Sequence, residues 1–348
     1  MSDLTSQKIP VTVLTGYLGA GKTTLLNRIL SENHGKKYAV IVNEFGEIGI
    51  DNDLIIGADE EVFEMNNGCV CCTVRGDLVR ILDGLMKRKG KFDAIIVETT
   101  GLADPAPVAQ TFFVDEDVQK HARLDAVVTV ADAKWLSARL KDAPEAKNQI
   151  AFADVIVLNK TDLVSKAELA EVEARIRGIN PYAKLHRTER CKVALSDVLE
   201  RGAFDLDRIL EIEPEFLETG DDHHHDHHHG HDHHHGHDHS HGGLKHYHDE
   251  EMQSLSLRTD KPLDATKFMP WLQNLVASEG QKILRSKGIL AFTDDDDRYV
   301  FQGVHMMLEG DHQRKWKDDE RRESRLVFIG RELPEQMIRD GFESCITT

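Results

Sequence analysis

The residues with the clearest chemical potential are three closely spaced cysteines, Cys69, Cys71 and Cys72. Thiolates are soft ligands that favour Zn²⁺, Cu⁺ and related ions. Because only three cysteines are local, an ion bound by all of them would keep one coordination position open, which suits transfer better than structural stapling. Neighbouring strand residues point to opposite faces, so joint ligation requires a loop. Residues 66–68, Asn-Asn-Gly, favour such a loop. The alternative is that the cysteines are buried and bind nothing.

A phosphate-binding loop precedes the cysteines. Residues 16–23 match the pattern GxxxxGK[ST], between a strand-like run and a helix-like stretch. The glycines let backbone N–H groups face phosphate oxygens, and the helix N-terminus adds partial positive charge. We expect Lys22 to reach the β- and γ-phosphates and the Thr23 hydroxyl to bind Mg²⁺. A glycine-rich turn without a ligand is the alternative. The residues predicted to bind the phosphates are Gly16, Gly19, Ala20, Gly21, Lys22, Thr23 and Thr24.

Two further motifs indicate which nucleotide is bound. Asn159, Lys160 and Asp162 follow a predicted strand. The Asp162 carboxylate can accept hydrogen bonds from two N–H donors of guanine, whereas adenine lacks that pair and would leave a carboxylate unpaired. The motif therefore favours GTP over ATP. Glu98 ends another predicted strand, where a carboxylate can hold Mg²⁺, and the Gly101 N–H can sense the γ-phosphate. An ordinary strand-terminal glutamate is the alternative for Glu98.

Composition and charge restrict the class of protein. At 348 residues the chain is long enough for two domains, each with its own core. The formal net charge of −18 argues against nucleic acid and anionic membrane as partners. We find no signal-peptide pattern, and no apolar run approaches the roughly 18–20 residues that span a bilayer. The cysteines do not resemble a disulfide framework, so we expect reduced thiols and a cytoplasmic location.

Residues 1–218 are predicted to form a P-loop NTPase domain. Continuous apolar runs suit strands covered on both faces, and they alternate with stretches of helical periodicity. The pattern indicates an α/β fold with a mostly parallel, doubly wound sheet, whose ligands bind at the carboxyl ends of the strands. The predicted strands are 11–14, 39–42, 94–97, 126–130 and 155–158, with helices at 22–30 and around Leu78, Ile81, Leu82 and Leu85.

A histidine-rich segment, residues 219–249, follows this domain. Of the 19 residues from His223 to His241, 13 are histidine, so we expect a flexible linker without a packed core. Imidazole is the commonest metal ligand in proteins, and we interpret the tract as an auxiliary metal collector. An inert, tag-like segment is the alternative.

Residues 250–348 are predicted to form a smaller C-terminal α+β domain and a tail. Alternating and apolar runs indicate an antiparallel sheet. The predicted strands are 254–257, 288–292, 299–301 and 325–329, with helices at 267–275 and within 333–348. The role of His305, which lies beside an apolar strand, is not readable from the sequence.

Taken together, these motifs resemble the CobW-type metallochaperone GTPases, a branch of the P-loop GTPases. The resemblance covers nearly the whole chain, and its other segments are residues 42–47, 67–72, 285–288, 302–305 and 325–330. It implies slow GTP hydrolysis and binding of Zn²⁺, Co²⁺ or Ni²⁺ at the CxCC cysteines, followed by delivery to a client metalloprotein. It also marks Glu47, in a switch-like stretch, as a further metal ligand. Val42 stands where some relatives carry another glutamate.

The sequence and the resemblance together predict a Mg²⁺-dependent GTPase that hands over a divalent metal, with zinc or cobalt favoured. GTP would order the switch region and set the cysteine geometry, and hydrolysis would weaken metal binding. Linkage requires that metal then alters GTP affinity by the same factor. A GTP-gated metal store or sensor without a client and a metal-independent regulatory GTPase are the alternatives. Dimerisation is compatible with the sequence. The predicted catalytic residues are Lys22, Thr23 and Glu98, and the residue that activates water is not identified.

Overall fold

The structure is a computed structural model that describes residues 8–32, 35–42, 62–64, 72–87, 92–204, 251–317 and 320–347. Glu47, Cys69, Cys71 and the histidine tract lie outside the described residues, so the roles predicted for them stay predictions. Within the described part of the chain, no helix has the length and apolar character needed to cross a membrane.

Among the described residues, seven parallel strands form the core of the N-terminal part. They are β1 (Ile9–Thr15), β2 (Tyr38–Val42), β3 (Val62–Glu64), β4 (Ala94–Glu98), β5 (Ala122–Asp132), β6 (Val155–Asn159) and β7 (Lys184–Arg187). Their order in the sheet is β3-β2-β4-β1-β5-β6-β7. Strands β2, β4 and β6 are buried at every position, as expected for a sheet with helices on both faces. The predicted doubly wound α/β fold is confirmed.

Helices connect these strands. They are α1 (Lys22–Ser31), α2 (Cys72–Met86), α3 (Ala106–Val114), α4 (Glu116–His121), α5 (Leu136–Asp142), α6 (Pro144–Phe152) and α7 (Lys166–Ile179). The predicted amphipathic helix after the cysteines is α2, whose Leu78, Leu82 and Leu85 are buried in the core. In α7 the Ser165 side chain accepts the Glu168 N–H while the Glu168 carboxylate accepts the Ser165 N–H, which fixes the start of the helix.

As far as the structure describes the C-terminal part, it is an antiparallel sheet with two helices, which confirms the predicted α+β fold. Its strands are β8 (Met252–Thr259), β9 (Ile283–Leu290), β10 (Asp297–Val304), β11 (Met307–Lys315) and β12 (Ser324–Arg331), in the order β11-β10-β9-β12-β8. The helices are α8 (Ala265–Glu279) and α9 (Glu335–Ser344). The predicted strand at 288–292 is displaced in the structure, because β9 starts at Ile283 and pairs with β10 and β12 from there to Leu290.

A buried ion pair joins the two parts of the chain. Asp154, just before β6, accepts hydrogen bonds from Arg285 Nη2 at 2.9 Å and Lys287 Nζ at 3.2 Å. Its second oxygen accepts the Val127 N–H at 2.8 Å. Arg285 and Lys287 are two residues apart on β9, so they share one face of the strand. Burial opposes ionisation, yet the two cations and the backbone bond hold the pKa of Asp154 below its usual value. This carboxylate therefore anchors the C-terminal sheet.

We expect Asp154→Ala to lower the free energy of unfolding by about 3–5 kcal/mol at pH 7, because two buried cations lose their partner. A depressed pKa means that the carboxylate stabilises the fold above its unfolded pKa of about 3.9 and loses that effect as pH falls through the folded pKa. Urea unfolding should therefore show that the difference in unfolding free energy between wild type and variant decreases below about pH 4. Arg339→Ala, which breaks an exposed pair with Glu335, is the matched control. If both variants lost similarly small amounts of unfolding free energy, the anchoring role of Asp154 would be contradicted.

Candidate nucleotide-binding site

The predicted nucleotide residues converge at the carboxyl edge of the parallel sheet. The phosphate loop follows β1, Glu98 ends β4 and Asn159 ends β6. Strand register places Leu14 beside Glu98 and Asp132 beside Asn159. Parallel strands all end at this edge, so motifs far apart in the sequence meet there.

The phosphate loop leads directly into the N-terminus of α1. Gly21 has a φ of 120°, and a Cβ at this position would lie 2.6 Å from Asn159 Nδ2, so the backbone requires glycine. Lys22 is buried, and its Nζ donates to the Gly16 carbonyl at 2.9 Å. Among the described residues, no side chain caps the start of α1. The N–H groups of this first turn therefore present an anion-binding end beside the buried ammonium.

Oxygen ligands suited to Mg²⁺ lie at the start of α1 and at the end of β4. Thr23 is half-buried in the first turn of α1, and the buried Glu98 ends β4. A hydrogen bond of 2.9 Å between the Thr99 and Thr15 hydroxyls ties the ends of β4 and β1 together. A hydroxyl and a carboxylate are hard ligands of the type that Mg²⁺ prefers. The residue types and positions fit the predicted magnesium role.

Gly101 lies against the phosphate loop. It is buried, and a Cβ at this position would fall 2.6 Å from the Leu18 backbone nitrogen. The Gln149 side chain donates from Nε2 to the carbonyl oxygens of Gly101 and Ala103, each at 3.1 Å. The loop between β4 and α3, residues 99–105, therefore lies against the phosphate-loop motif, as the γ-phosphate role predicted for Gly101 requires.

The Asn159 amide ties the base-recognition loop to the phosphate loop. Its Nδ2 donates to the Ala20 carbonyl at 3.0 Å, and its Oδ1 accepts the Cys191 N–H at 2.8 Å. The side chain is 3% exposed. Because backbone groups engage both ends of the amide, Asn159 holds the loop after β6 against the phosphate-loop motif.

Lys160 crosses the phosphate loop. Its backbone adopts φ 60°, ψ 35°, and its Nζ donates to the Gly19 carbonyl at 2.8 Å and to Asp132 Oδ2 at 2.6 Å. This conformation is left-handed and uncommon for a residue with a side chain, so the contacts must hold it. The aliphatic part of Lys160 is thereby available as one wall of a base site.

Asp162 lies on a short turn, Thr161–Leu163, and its residue is exposed. Within the part of the chain that the structure describes, no group donates a hydrogen bond to its carboxylate. Both oxygens are therefore available to the guanine ring N–H and exocyclic amine, as the sequence predicts.

Asp162→Asn is expected to raise the dissociation constant for GTP by about a hundredfold, since one charged hydrogen bond is lost and the amide donor faces the guanine amine. Xanthine carries a carbonyl in place of that amine, so xanthosine triphosphate should bind the variant better than it binds wild type. Both constants can be measured by calorimetry. Asp142→Asn, at an exposed position at the end of α5, is the matched control. An unchanged GTP affinity would exclude Asp162 from base recognition.

The sequence did not single out three residues that shape this site. Asp132 ends β5 and could have been found by the rule that identified Glu98, a carboxylate at the carboxyl end of an apolar strand. Gln149 and Cys191 carry no sequence signal. Burial raises the pKa of the Cys191 thiol to about 11, so it stays protonated and acts by packing and by its backbone N–H.

The predicted metal residues are only partly within the described chain. Cys72 is the first residue of α2. The two described cysteines with a known environment, Cys191 and Cys345, are buried free thiols. Among the described residues, no group of three or more His, Cys, Asp or Glu side chains could hold a metal ion. Cys69 and Cys71 lie outside the described ranges, so the predicted cysteine site stays a prediction.

Comparison with known proteins agrees with both parts of the fold. Residues 10–187 match the family described as CobW/HypB/UreG, nucleotide-binding domain, and residues 252–346 match the cobalamin synthesis protein cobW C-terminal domain. The chain is 34% identical to the zinc chaperone YjiA of Escherichia coli, over 96% of this chain and 98% of that protein. It is 37% identical to the zinc-regulated GTPase metalloprotein activator 1 of Schizosaccharomyces pombe, over 88% and 78%.

Solved structures extend the similarity to three dimensions. The crystal structure of Zn(II)-bound YjiA GTPase from Escherichia coli covers 98% of this chain with a TM-score of 0.74 and 29% identity, and all of that chain is covered. A Zn(II)-bound triple mutant of YjiA, with a glutamate and two cysteines replaced by alanine, gives a TM-score of 0.73 at 29% identity over the same shares. The chain thus belongs to the CobW/HypB/UreG family of P-loop GTPases and carries the CobW C-terminal domain.

Proposed function

We propose that this protein is a GTP-hydrolysing metallochaperone that binds Zn²⁺ at Cys69, Cys71 and Cys72 and delivers it to a client metalloprotein. Similar proteins are named zinc chaperones and a zinc-regulated GTPase metalloprotein activator, which supports zinc as the cargo. Three local thiolates suit zinc, and an open fourth position suits transfer. Cobalt as an alternative cargo and Glu47 as a further ligand stay predictions.

The packing of α2 against α3 supports the proposed control of zinc binding by the nucleotide. Helix α2 begins at Cys72 and packs against α3, and α3 begins directly after the loop of residues 99–105 that lies on the phosphate loop. A shift of that loop on GTP binding or hydrolysis would move α3 and, through it, the helix to which the cysteine motif is joined. Packed helices transmit such shifts because protein interiors resist compression.

The nucleotide residues have distinct proposed roles. Lys22 would neutralise charge on the β- and γ-phosphates, and Thr23 and Glu98 would hold Mg²⁺. A Mg²⁺ ion held by Thr23 and Glu98 would supply positive charge next to the phosphates during hydrolysis. Asp162 would select guanine, while Asn159 keeps the base and phosphate loops in register. Gly16, Gly19, Ala20, Gly21 and Thr24 would supply backbone and side-chain contacts to the phosphates.

Release of zinc during a single turnover tests the proposal. We expect zinc to pass to a chromophoric chelator about tenfold or more faster after GTP hydrolysis than in protein held with a non-hydrolysable GTP analogue. The full chain would be loaded with one equivalent of zinc and mixed with chelator and nucleotide in a stopped-flow instrument. Equal release rates in both samples would favour a GTP-gated store or sensor and would contradict a chaperone that is driven by hydrolysis.

Other parts of the proposal extend beyond this measurement. The histidine tract, His223 to His241, would collect metal near the cysteines by raising the local concentration of bound zinc. The division into residues 1–218, 219–249 and 250–348 is the domain organisation that we propose. The identity of the client, dimerisation, the absence of nucleic-acid and membrane partners and a cytoplasmic location stay predictions.

A further inference from the structure

Helix α6 contacts both the nucleotide site and the C-terminal sheet through three consecutive residues. Lys147 pairs with Glu251, just before β8, at 2.7 Å. Gln149 holds the carbonyl oxygens of the loop that lies on the phosphate loop. Asn148, between them, contacts both sides. The helix is therefore a bridge between the phosphate-facing loop and the C-terminal domain.

Asn148 makes two side-chain hydrogen bonds in opposite directions. Its Nδ2 donates to Asp104 Oδ2 at 2.8 Å, and its Oδ1 accepts from Arg331 Nη2 at 2.7 Å. Asp104 belongs to the loop between β4 and α3, and Arg331 is the last residue of β12. Reversing the amide would place its donor against the guanidinium and its acceptor against the carboxylate. The charges at the two ends therefore fix the orientation of Asn148.

Asp104 is also hydrogen-bonded to the helix that follows its loop. Asp104 Oδ1 accepts the Ala106 N–H at 2.9 Å, at the first residue of α3. Three hydrogen bonds from α6 thus hold the loop, one at Asp104 and two at the carbonyl oxygens of Gly101 and Ala103. Both Asn148 and Gln149 are buried, with 9% and 2% of their surface exposed. Water competes weakly at such positions, so each bond contributes strongly to the position of the loop.

His305 lies in the same cluster. Its ring packs against Phe152 of α6 with 5.7 Å between ring centroids. Burial lowers the pKa of His305, although the nearby Asp104 carboxylate and a bond with the Gly280 backbone raise it. The imidazole is accordingly neutral at pH 7. Arg331 is therefore the cation that is paired with the Asp104 carboxylate, and Asn148 lies between them.

We propose that Arg331 is a positioning residue for GTP hydrolysis, which acts through Asn148 and Asp104 on the loop that faces the γ-phosphate. The C-terminal sheet thereby helps to arrange the nucleotide site, and by linkage it responds to the nucleotide that is bound. The inference rests on the proposed role of the Gly101 loop and requires no zinc.

The first test is Arg331→Ala, measured without zinc in the full chain. We expect kcat for GTP hydrolysis to fall by about threefold to thirtyfold, with GDP affinity unchanged. The ratio of GTPγS affinity to GDP affinity should fall by a similar factor, because only the triphosphate uses the ordered loop. The matched control is Arg339→Ala, since that arginine pairs within its own helix with Glu335. The proposal would be overturned if Arg331→Ala had the same kcat as wild type and the same ratio of GTPγS affinity to GDP affinity.

A double-mutant cycle with Asp104→Asn tests whether Arg331 acts along this route. The asparagine has one acceptor oxygen for the two donors that Asp104 serves, Asn148 Nδ2 and the Ala106 N–H, so one of these two bonds of the route is lost. If one series of hydrogen bonds is responsible, kcat of the double variant should be only slightly lower than kcat of the less active single variant. Additive losses would show that Arg331 acts independently of Asp104 and would overturn the proposed route.

Hydrogen exchange of the wild-type protein gives a test that does not depend on any variant folding. Backbone amides near the end of β12 should exchange more slowly with GTPγS bound than with GDP bound. Equal exchange in the two states would overturn the inference. A wild-type protein that does not hydrolyse GTP would instead remove the proposed function, so the two failures can be told apart.

Discussion

Replacing Cys69, Cys71 and Cys72 together by serine is expected to raise the dissociation constant for Zn²⁺ by about a thousandfold or more. Structural thiolate sites in zinc-finger peptides gain about 10–16 kcal/mol from zinc at neutral pH, and serine hydroxyls are poor zinc ligands. GTP affinity should change by only a few fold when zinc is absent, because all the residues that are predicted to bind the nucleotide are intact. Competition with a chromophoric chelator measures the zinc constant directly.

The cysteine experiment needs two controls. Cys345→Ser removes a buried thiol of the C-terminal domain whose Sγ donates to the Gly341 carbonyl at 3.2 Å, a bond that a serine hydroxyl can also make. It should leave the zinc constant unchanged. Residues 222–242 should be deleted from every protein compared, so that the histidine tract does not mask the site. If the triple variant bound zinc as tightly as wild type, the CxCC cysteines would not be the tight zinc site.

The comparison with YjiA shows why affinity must be measured. Its triple mutant, which lacks a glutamate and two cysteines, is still described as Zn(II)-bound. The presence of zinc in a crystal or in purified protein therefore does not identify the ligands of the transferred ion. A dissociation constant and a stoichiometry for each variant can separate one tight cysteine site from weaker sites elsewhere.

Lys22→Ala is expected to lower kcat for GTP hydrolysis by about a hundredfold to a thousandfold, the usual effect of removing one charge-stabilising group from a transition state. The ammonium is buried at the start of α1 and already bonded to the Gly16 carbonyl, so it is held close to the phosphate loop. Its loss leaves charge on the transferring phosphoryl group with one fewer partner. Phosphate release under single-turnover conditions measures the rate.

A matched lysine tests whether the effect belongs to the site. Lys166 is exposed at the first position of α7, and Lys166→Ala should hydrolyse GTP like wild type. Zinc affinity without nucleotide should be the same in Lys22→Ala and wild type, since the metal residues are intact. A kcat for Lys22→Ala within a few fold of wild type would show that residues 16–23 do not form a catalytic phosphate loop.

Much of the fold was readable because burial leaves a simple pattern in the sequence. The inner strands of the parallel sheet are covered on both faces, so they read as uninterrupted apolar runs, as in residues 94–97 and 155–158. Strand β11 was missed because it lies at a sheet edge and most of its residues are polar and exposed. An edge strand needs few apolar residues, so it carries little periodic signal.

The nucleotide site was readable to the extent that it is built from local motifs. Lys22 and Asp162 lie in short segments whose spacing reflects one helix start and one strand end. The contacts of Gln149, Asn148 and Arg331 depend on how α6 packs between two sheets, and no local pattern encodes that packing. Asn159 shows the same limit, because its local motif does not encode the bonds of its amide with the Ala20 carbonyl and the Cys191 N–H.

The central claim is that nucleotide and zinc affinity are coupled. The most direct measurement is the dissociation constant for Zn²⁺ of protein lacking residues 222–242, with GDP bound and with a non-hydrolysable GTP analogue bound. We predict at least about tenfold tighter binding in the triphosphate state, equivalent to about 1.4 kcal/mol of coupling. Equal zinc affinities in the two nucleotide states would contradict a nucleotide-controlled metallochaperone.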